Sequence, residues 1–251
     1  MKDLFSQYAG DYAKYRPHYP AALFEFMYTQ GDTFDLAWDV GTGNGQTAVQ
    51  LSKKFRQVYA TDISLEQINH ATPANNIAYA QESSEQTRLG TNSVDLITVS
   101  QALHWFDFSQ FYVEVNRVAK KDALIAAWTY NLLTVDDAID NLIRDFYFET
   151  LANYWDAERR YVDLGYANLP FPYKQIEHPD FHIETAWTLE ELQGYINTWS
   201  GLKKFIALNK MNPLDELIMS LKKIWPAGER KKIKFPLHLK LAKVSTFQTD
   251  I

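Results

Sequence analysis

The chain contains no cysteine, which excludes disulfides, thiolate nucleophiles and cysteine-ligated zinc. No run of 18 apolar residues occurs, so no segment reads as a membrane-spanning helix. The opening "MKDLFSQYAGDYAKYRPHYP" lacks the apolar core of a secretion signal. A cytoplasmic protein without membrane association is expected. Positive charge is not in excess either: 25 Lys and Arg against 31 Asp and Glu leave a net charge of −6. That balance argues against a dedicated nucleic-acid partner. The short basic run "GERKKIK" at 228–234 reads as a solvated strand entry. "HPDFH" spaces His178 and His182 four apart, but Pro179 disfavours a helical residue 178 and no carboxylate cluster accompanies the pair. No metal is expected.

Glycine is scarce, ten in 251 residues, yet three of the ten fall between 41 and 45. Around that concentration, 46% of the chain is hydrophobic and 15% aromatic, enough for a substantial core and unlike a disordered chain.

Strand and helix patterns alternate from residue 34 to residue 130. Residues 34–40 read as a buried strand, and 46–55 as a helix with Ala48, Val49, Leu51 and Phe55 on one face. "QVYATD" at 57–62 is a second strand, after which Ser64 and Gln67 can form a capping box. "NIAYAQ" at 76–81 and "VDLITVSQ" at 94–101 are the third and fourth strands. Asp107 or Ser109 can cap a helix presenting Phe108, Phe111, Val115 and Val118. "ALIAAWTY" at 123–130 is the fifth strand. This rhythm predicts an α/β fold, Rossmann-like, with a mostly parallel sheet and helices on both faces.

After residue 130 the rhythm changes. Residues 136–163 predict one long helix, followed by a proline-containing loop. "TLEE" at 188–191 is a capping box, and "NPLDELIMSLKKIW" a further helix. "KIKFPLHLKL" alternates as a strand, and Pro236, which cannot donate to a ladder, places it at an edge or with one paired side.

In open parallel sheets, ligands bind outside the carboxyl ends of the strands at the switch point. "DVGTGNGQTA" sits there, with Asp39 two residues ahead of Gly41, Gly43 and Gly45. The spacing is G-x-G-x-G rather than the dinucleotide G-x-G-x-x-G. A carboxylate at Asp39 would repel a diphosphate, whereas S-adenosylmethionine brings an ammonium and a sulfonium. Asp62, ending the second strand, suits ribose hydroxyls.

"DVGTGNGQTA", "YATDIS" and "SSEQTRLGTNSVDLITVSQALHWFD" resemble successive motifs of class I S-adenosylmethionine-dependent methyltransferases. "YAGDYAKYRPHYP" and "QALHWFD" resemble the small-molecule branch that includes trans-aconitate and farnesoic acid methyltransferase-like proteins. The resemblance covers residues 5–130. It implies a seven-stranded sheet with a reversed last strand and S-adenosylmethionine as cofactor. The three glycines would lie against the methionine part, with Asp39 nearby; Asp62 would take the ribose and Ile63 the adenine. Ser83, Ser84 and Glu85 would border adenine, although Ser83 stands where relatives often carry Asp. Gln101 would face the methionine moiety.

These readings predict one domain over 1–251: lid helices in 1–32, a cofactor-binding core in 33–130, a helical cap in 131–172, and remaining core elements in 173–251. The expected activity is methyl transfer to a small molecule, with a carboxylate oxygen as preferred acceptor. Phenol, amine or carbon methylation, an NAD-dependent oxidoreductase and a non-catalytic S-adenosylmethionine binder are the alternatives. Tyr8, Arg16, His104 and Trp105 are expected at the substrate. Arg16 offers a fork for a carboxylate, Trp105 an N–H, and His104 a base should the acceptor need one. Aromatic residues of the cap, among them Tyr130, Phe146, Phe148, Tyr154, Trp155, Phe171 and Tyr173, could cover an apolar substrate. A monomer or weak homodimer is expected.

Overall fold

A computed structural model describes residues 15–244. Its seven strands form one sheet in the order β3-β2-β1-β4-β5-β7-β6. The first five are β1 (Leu36–Val40), β2 (Gln57–Asp62), β3 (Ile77–Gln81), β4 (Val94–Ser100) and β5 (Ala119–Tyr130). All pair in parallel where they meet. After β1 the chain runs out to β2 and β3, then returns to place β4 on the other side of β1. The crevice beyond the carboxyl ends of β1 and β4 is therefore the switch point of the sheet. The last two strands, β6 (Phe181–Trp187) and β7 (Lys231–Lys243), close the sheet, with β7 antiparallel to both neighbours.

The β7 strand is interior, not an edge. Pro236 is tolerated because the ladder to β5 ends at Tyr130↔Leu237. In an antiparallel strand a residue's nitrogen and carbonyl face the same neighbour. The Pro236 carbonyl accepts from Asn131 N at 3.2 Å, so its missing donor falls just past the end of β5.

Both faces of the sheet are covered, which is why β4 and the second half of β5 are buried along their length. One core joins Leu23, Met27, Ala48, Leu51, Ala126 and Trp128. The other joins Trp38, Ile97, Phe111, Val115, Val118 and Ile125. The helices supplying these side chains include α1 (Ala21–Thr29), α2 (Gln46–Leu51) and, after the short α3 (Leu65–Asn69), α4 (Phe108–Val118). Ser64 caps α3 and Asp107 caps α4, each accepting from the backbone N–H three residues on. Asp95, near the start of β4, anchors the entry to β1 by accepting from Asp35 N and Leu36 N at 3.0 and 2.9 Å.

The helix predicted over 136–163 is broken into pieces. It comprises α5 (Asp137–Asp145), a π-helical turn (Phe146–Thr150), a 3₁₀ turn (Ala152–Tyr154) and α6 (Arg159–Asp163). Leu151 N bonds back five residues to Phe146 O at 3.0 Å. That wider turn lets the consecutive Phe146 and Tyr147 both bury, against Trp199 and against Trp155 and Trp199 respectively. Three later helices, α7 (Leu189–Asn197), α8 (Ser200–Asn209) and α9 (Leu214–Leu221), complete this side. Thr188 and Glu191 form the predicted capping box of α7. Among the described residues, no helix is long and apolar enough to cross a membrane.

Candidate active site

The glycine turn leaves β1 with Gly41, Gly43 and Gly45 all at positive φ, +63°, +56° and +82°. At two of them a side chain has no room. A Cβ on Gly41 would lie 2.6 Å from Ala102 Cβ, and one on Gly45 would lie 2.1 Å from the Tyr79 hydroxyl. The turn is thereby pressed against the end of β4 and against β3. Thr42 N bonds to Thr61 O at 2.9 Å and Gly43 N to Asp62 Oδ2 at 2.9 Å, while Asp62 Oδ1 accepts from Ser64 N at 2.9 Å. Asp62 thus ties the turn after β1 to the turn after β2.

Along these turns runs a cleft walled by Gly41, Thr42, Gly43, Asn44, Asp62, Ile63 and Gln101. Arg16, Pro17 and Tyr19 close its other side. This N-terminal segment is held by Arg16 Nη1 donating to the Tyr130 hydroxyl at 2.7 Å and by Gln46 Nε2 donating to Pro17 O at 3.2 Å. Tyr8 lies outside the described residues.

Several sequence-predicted positions stand behind the wall rather than on it. Asp39 is completely buried, and its carboxylate oxygens accept from the hydroxyls of Thr42 and Thr98. Burial pushes its carboxyl up to about 6 against the opposing effect of those two hydrogen bonds. Asp39 therefore shapes the turn through Thr42; the expectation of a carboxylate facing the ligand is corrected. Gly45 packs on Tyr79. Ser83, Ser84 and Glu85 lie off the wall as well. Glu85 Oε1 accepts from the Ser84 hydroxyl at 2.8 Å and from Asp107 N at 3.3 Å, bracing the start of α4.

A second cavity adjoins the cleft and shares Arg16, Gln101, Trp105 and Tyr130 with it. Its remaining wall comes from His104, from Trp155, Asp156 and Arg159, and from Tyr195 of α7 with Trp199 and Ser200 at the start of α8. Of the seven cap aromatics considered in the sequence, Tyr130 and Trp155 reach these cavities. Phe171 and Tyr173 pack with Tyr112, and Phe148 is exposed.

Arg159 is the main wall residue that sequence reading missed. Its Nε donates to the Tyr147 hydroxyl at 2.6 Å and lies 3.4 Å from Asp163 Oδ1. Its guanidinium also sits 5.1 Å from the Trp155 ring centre. Among the described residues, neither terminal nitrogen of Arg159 has a hydrogen-bond acceptor. The signal was weak, because "AERRY" looks like a solvated helix start.

Gln101 and Tyr166 are held at positive φ, +55° and +62°, which costs a bulky residue about 1–2 kcal/mol. Gln101 is fixed there by Thr129, whose hydroxyl donates to Oε1. Tyr166, fully buried, meets His104 Nδ1 at 2.8 Å. Burial, with a smaller contribution from the Arg159 charge, pushes His104 down to about 3. A histidine so poor at holding a proton is a weak base at neutral pH, which corrects its expected candidacy as general base.

The methyltransferase domain family matches residues 38–127 of this chain. A Dictyostelium discoideum protein named as a methyltransferase is 31% identical over 96% of this chain and 95% of its own length. The chain belongs to the class I S-adenosylmethionine-dependent methyltransferases. A solved structure from Anaeromyxobacter dehalogenans, designated a type II methyltransferase, is 34% identical. It superposes with a TM-score of 0.85 over 91% of this chain and 97% of the other. A methyltransferase structure from an antibiotic biosynthesis pathway of Anabaena variabilis, 15% identical with a TM-score of 0.52, shares the fold. Family membership sets aside the oxidoreductase alternative.

The cleft of this methyltransferase fits its cofactor. A Cβ on Gly43 would meet only Gln67 Oε1, at 3.7 Å, so a side chain there would project into the cleft that Gly43 lines. Asp62 lines the same cleft, and its carboxylate, which accepts from Gly43 N and Ser64 N, is a group able to accept about four hydrogen bonds.

Proposed function

We propose that this methyltransferase transfers the methyl group of S-adenosylmethionine to a carboxylate oxygen of a small, largely apolar molecule. The observation that carries the proposal is the cationic, aromatic cavity continuous with the cofactor cleft. Arg16 and Arg159 bring two guanidinium groups to it, and Trp105, Trp155 and Trp199 give it apolar walls. The resemblance to trans-aconitate and farnesoic acid methyltransferase-like proteins supports the same acceptor class.

In this reading Asp62 accepts from the ribose hydroxyls, Ile63 packs on adenine, and the main chain of Gly41 to Asn44 and the Gln101 side chain flank the methionine part. Asp39 and Gly45 keep the turn in shape. Glu85, with Ser84 bonded to it, acts through the α4 entry. The bound cofactor supplies an electrophilic methyl group on a sulfonium. The protein supplies alignment, worth about 7–11 kcal/mol when the reacting atoms are well held. Arg16 and Trp105 orient the acceptor, and the closing segment at 16–19 with the aromatic walls excludes water. A carboxylate is already ionised at neutral pH, so the reaction requires no base.

The test is a screen of small carboxylic acids and phenols with isotopically labelled S-adenosylmethionine. Base-labile label on acids is the expected result. Label confined to phenols or amines would overturn the proposal.

A further inference from the structure

His104 is buried, with 6% of its surface exposed, yet it lies on the wall of the acceptor cavity beside Arg16, Trp105 and Arg159. Its Nδ1 is engaged by the Tyr166 hydroxyl at 2.8 Å. Among the described residues, its Nε2 has no hydrogen-bond partner. We propose that Tyr166 fixes His104 as a neutral imidazole bearing its proton on Nε2, and that this N–H donates to the acceptor's anionic oxygen. His104 is then a substrate-binding donor and Tyr166 a positioning residue. The inference rests on the carboxylate reading above and sharpens it: the acceptor oxygen must arrive already ionised.

Three observations converge. The Tyr166 phenol is deeply buried and keeps its proton, since burial raises it. Among the described residues, the Tyr166 hydroxyl has its hydrogen bond to His104 Nδ1, and a fully buried phenol proton is costly to leave without an acceptor. His104 Nδ1, at 2.8 Å, is the acceptor in reach. An Nδ1–H tautomer would leave the buried Tyr166 proton without a hydrogen-bond acceptor among the described residues.

The backbone also pays heed to this contact. Gly165 and Tyr166 are both left-handed, at φ +57° and +62°, and Tyr166 N closes a wide turn onto Tyr161 O at 2.7 Å. A Cβ on Gly165 would lie 2.7 Å from the His238 ring. A strained, fully buried tyrosine held by such a turn is what a positioning role requires.

The groups facing His104 oppose a second proton. Arg159 and Arg16 bring positive charge, Tyr130 brings its hydroxyl, and burial holds the protons on Tyr166 and Tyr195. Asp156, the acid on this wall, is paired with Lys204 at 2.6 Å. A neutral donor therefore survives beside the two guanidinium groups, and all three point the cavity toward an anion.

The test uses the full chain labelled with ¹⁵N-histidine, with the His104 signals assigned by their loss in H104Q. Long-range ¹⁵N–¹H spectra between pH 5 and about 8 should show a protonated Nε2, a bare Nδ1 and no titration. Y166F should lose the single tautomer. With whichever acid the screen labels most strongly, H104F should lower kcat/KM by about 10–100-fold, the cost of a hydrogen bond to a charged group. H104Q, which retains an N–H donor, should recover most of that loss, and the wild-type rate should show no histidine limb. An Nδ1–H tautomer, titration of His104 within that pH range, or an H104F variant as active as wild type would each overturn the inference. Labelling of phenols alone would overturn the carboxylate reading and the requirement for an ionised acceptor. The spectra would still decide the tautomer independently.

Discussion

Replacing Gly41 by alanine should injure the fold in a way that a second substitution can repair. At φ +63° an L-residue carries a backbone penalty of about 1–2 kcal/mol. The new Cβ would also lie 2.6 Å from Ala102 Cβ and 3.4 Å from Phe106 Cζ, and overpacking of this kind costs about 1–3 kcal/mol. The expected loss is therefore about 2–5 kcal/mol, a large part of a typical domain stability of about 5–15 kcal/mol. A102G removes the nearer obstacle and by itself should cost at most about 1 kcal/mol. In the double variant the steric part disappears and the backbone part stays. Urea unfolding of the four proteins at one pH gives the cycle. The double variant should be about 1–3 kcal/mol more stable than the sum of the single effects. Additivity within about 0.5 kcal/mol would refute the claim that the glycine turn is seated against the end of β4.

Three further outcomes are expected. D62A removes the acceptor of Gly43 N and Ser64 N and the proposed ribose contact, so calorimetry should show S-adenosylmethionine affinity reduced at least about tenfold; unchanged affinity would sink that assignment. For Asp95, burial alone would raise the carboxyl, but Lys120, Thr33 and the Leu36 N–H outweigh it and the net shift is downward. A carboxyl depressed in the folded state stabilises above its unfolded value, about 3.9, and loses that contribution as pH falls through the folded value. D95N should thus be less stable than wild type at neutral pH, with the gap closing as the pH drops below about 4; a gap that persists in strong acid would contradict this. R159Q should raise KM for the acid acceptor about tenfold or more while leaving cofactor affinity nearly unchanged, and equal losses of both would mean that Arg159 serves the fold instead.

The parallel half of the sheet was legible because its signals are local. Buried runs at 36–40 and 94–100, caps at Ser64 and Asp107, and a glycine turn at a strand end each act within a few residues. The cap was not legible, because the apolar spacing through 136–163 continues smoothly across breaks that only packing imposes. Phe146 and Tyr147 are adjacent, and burying both against Trp155 and Trp199 demands the π-helical turn. Pro236 was misplaced for a similar reason: its neighbours on both sides are set by where β5 ends.

Asp39 shows the limit for charge. From the chain it is an acid beside a glycine turn; in the fold Thr42 and Thr98 enclose it, the latter 59 residues away. His104 looked like a base until Tyr166, 62 residues on, took its Nδ1 and burial lowered its proton affinity. The sequence by itself determined the α/β class, the switch-point cleft and a cofactor with a ribose, since each follows from periodicity, turn chemistry and strand-end residues. Tertiary structure alone decided the cavity beside the cofactor cleft, because Arg16, the adjacent His104 and Trp105, and Arg159 come from three distant segments and acquire their surroundings only from what encloses them.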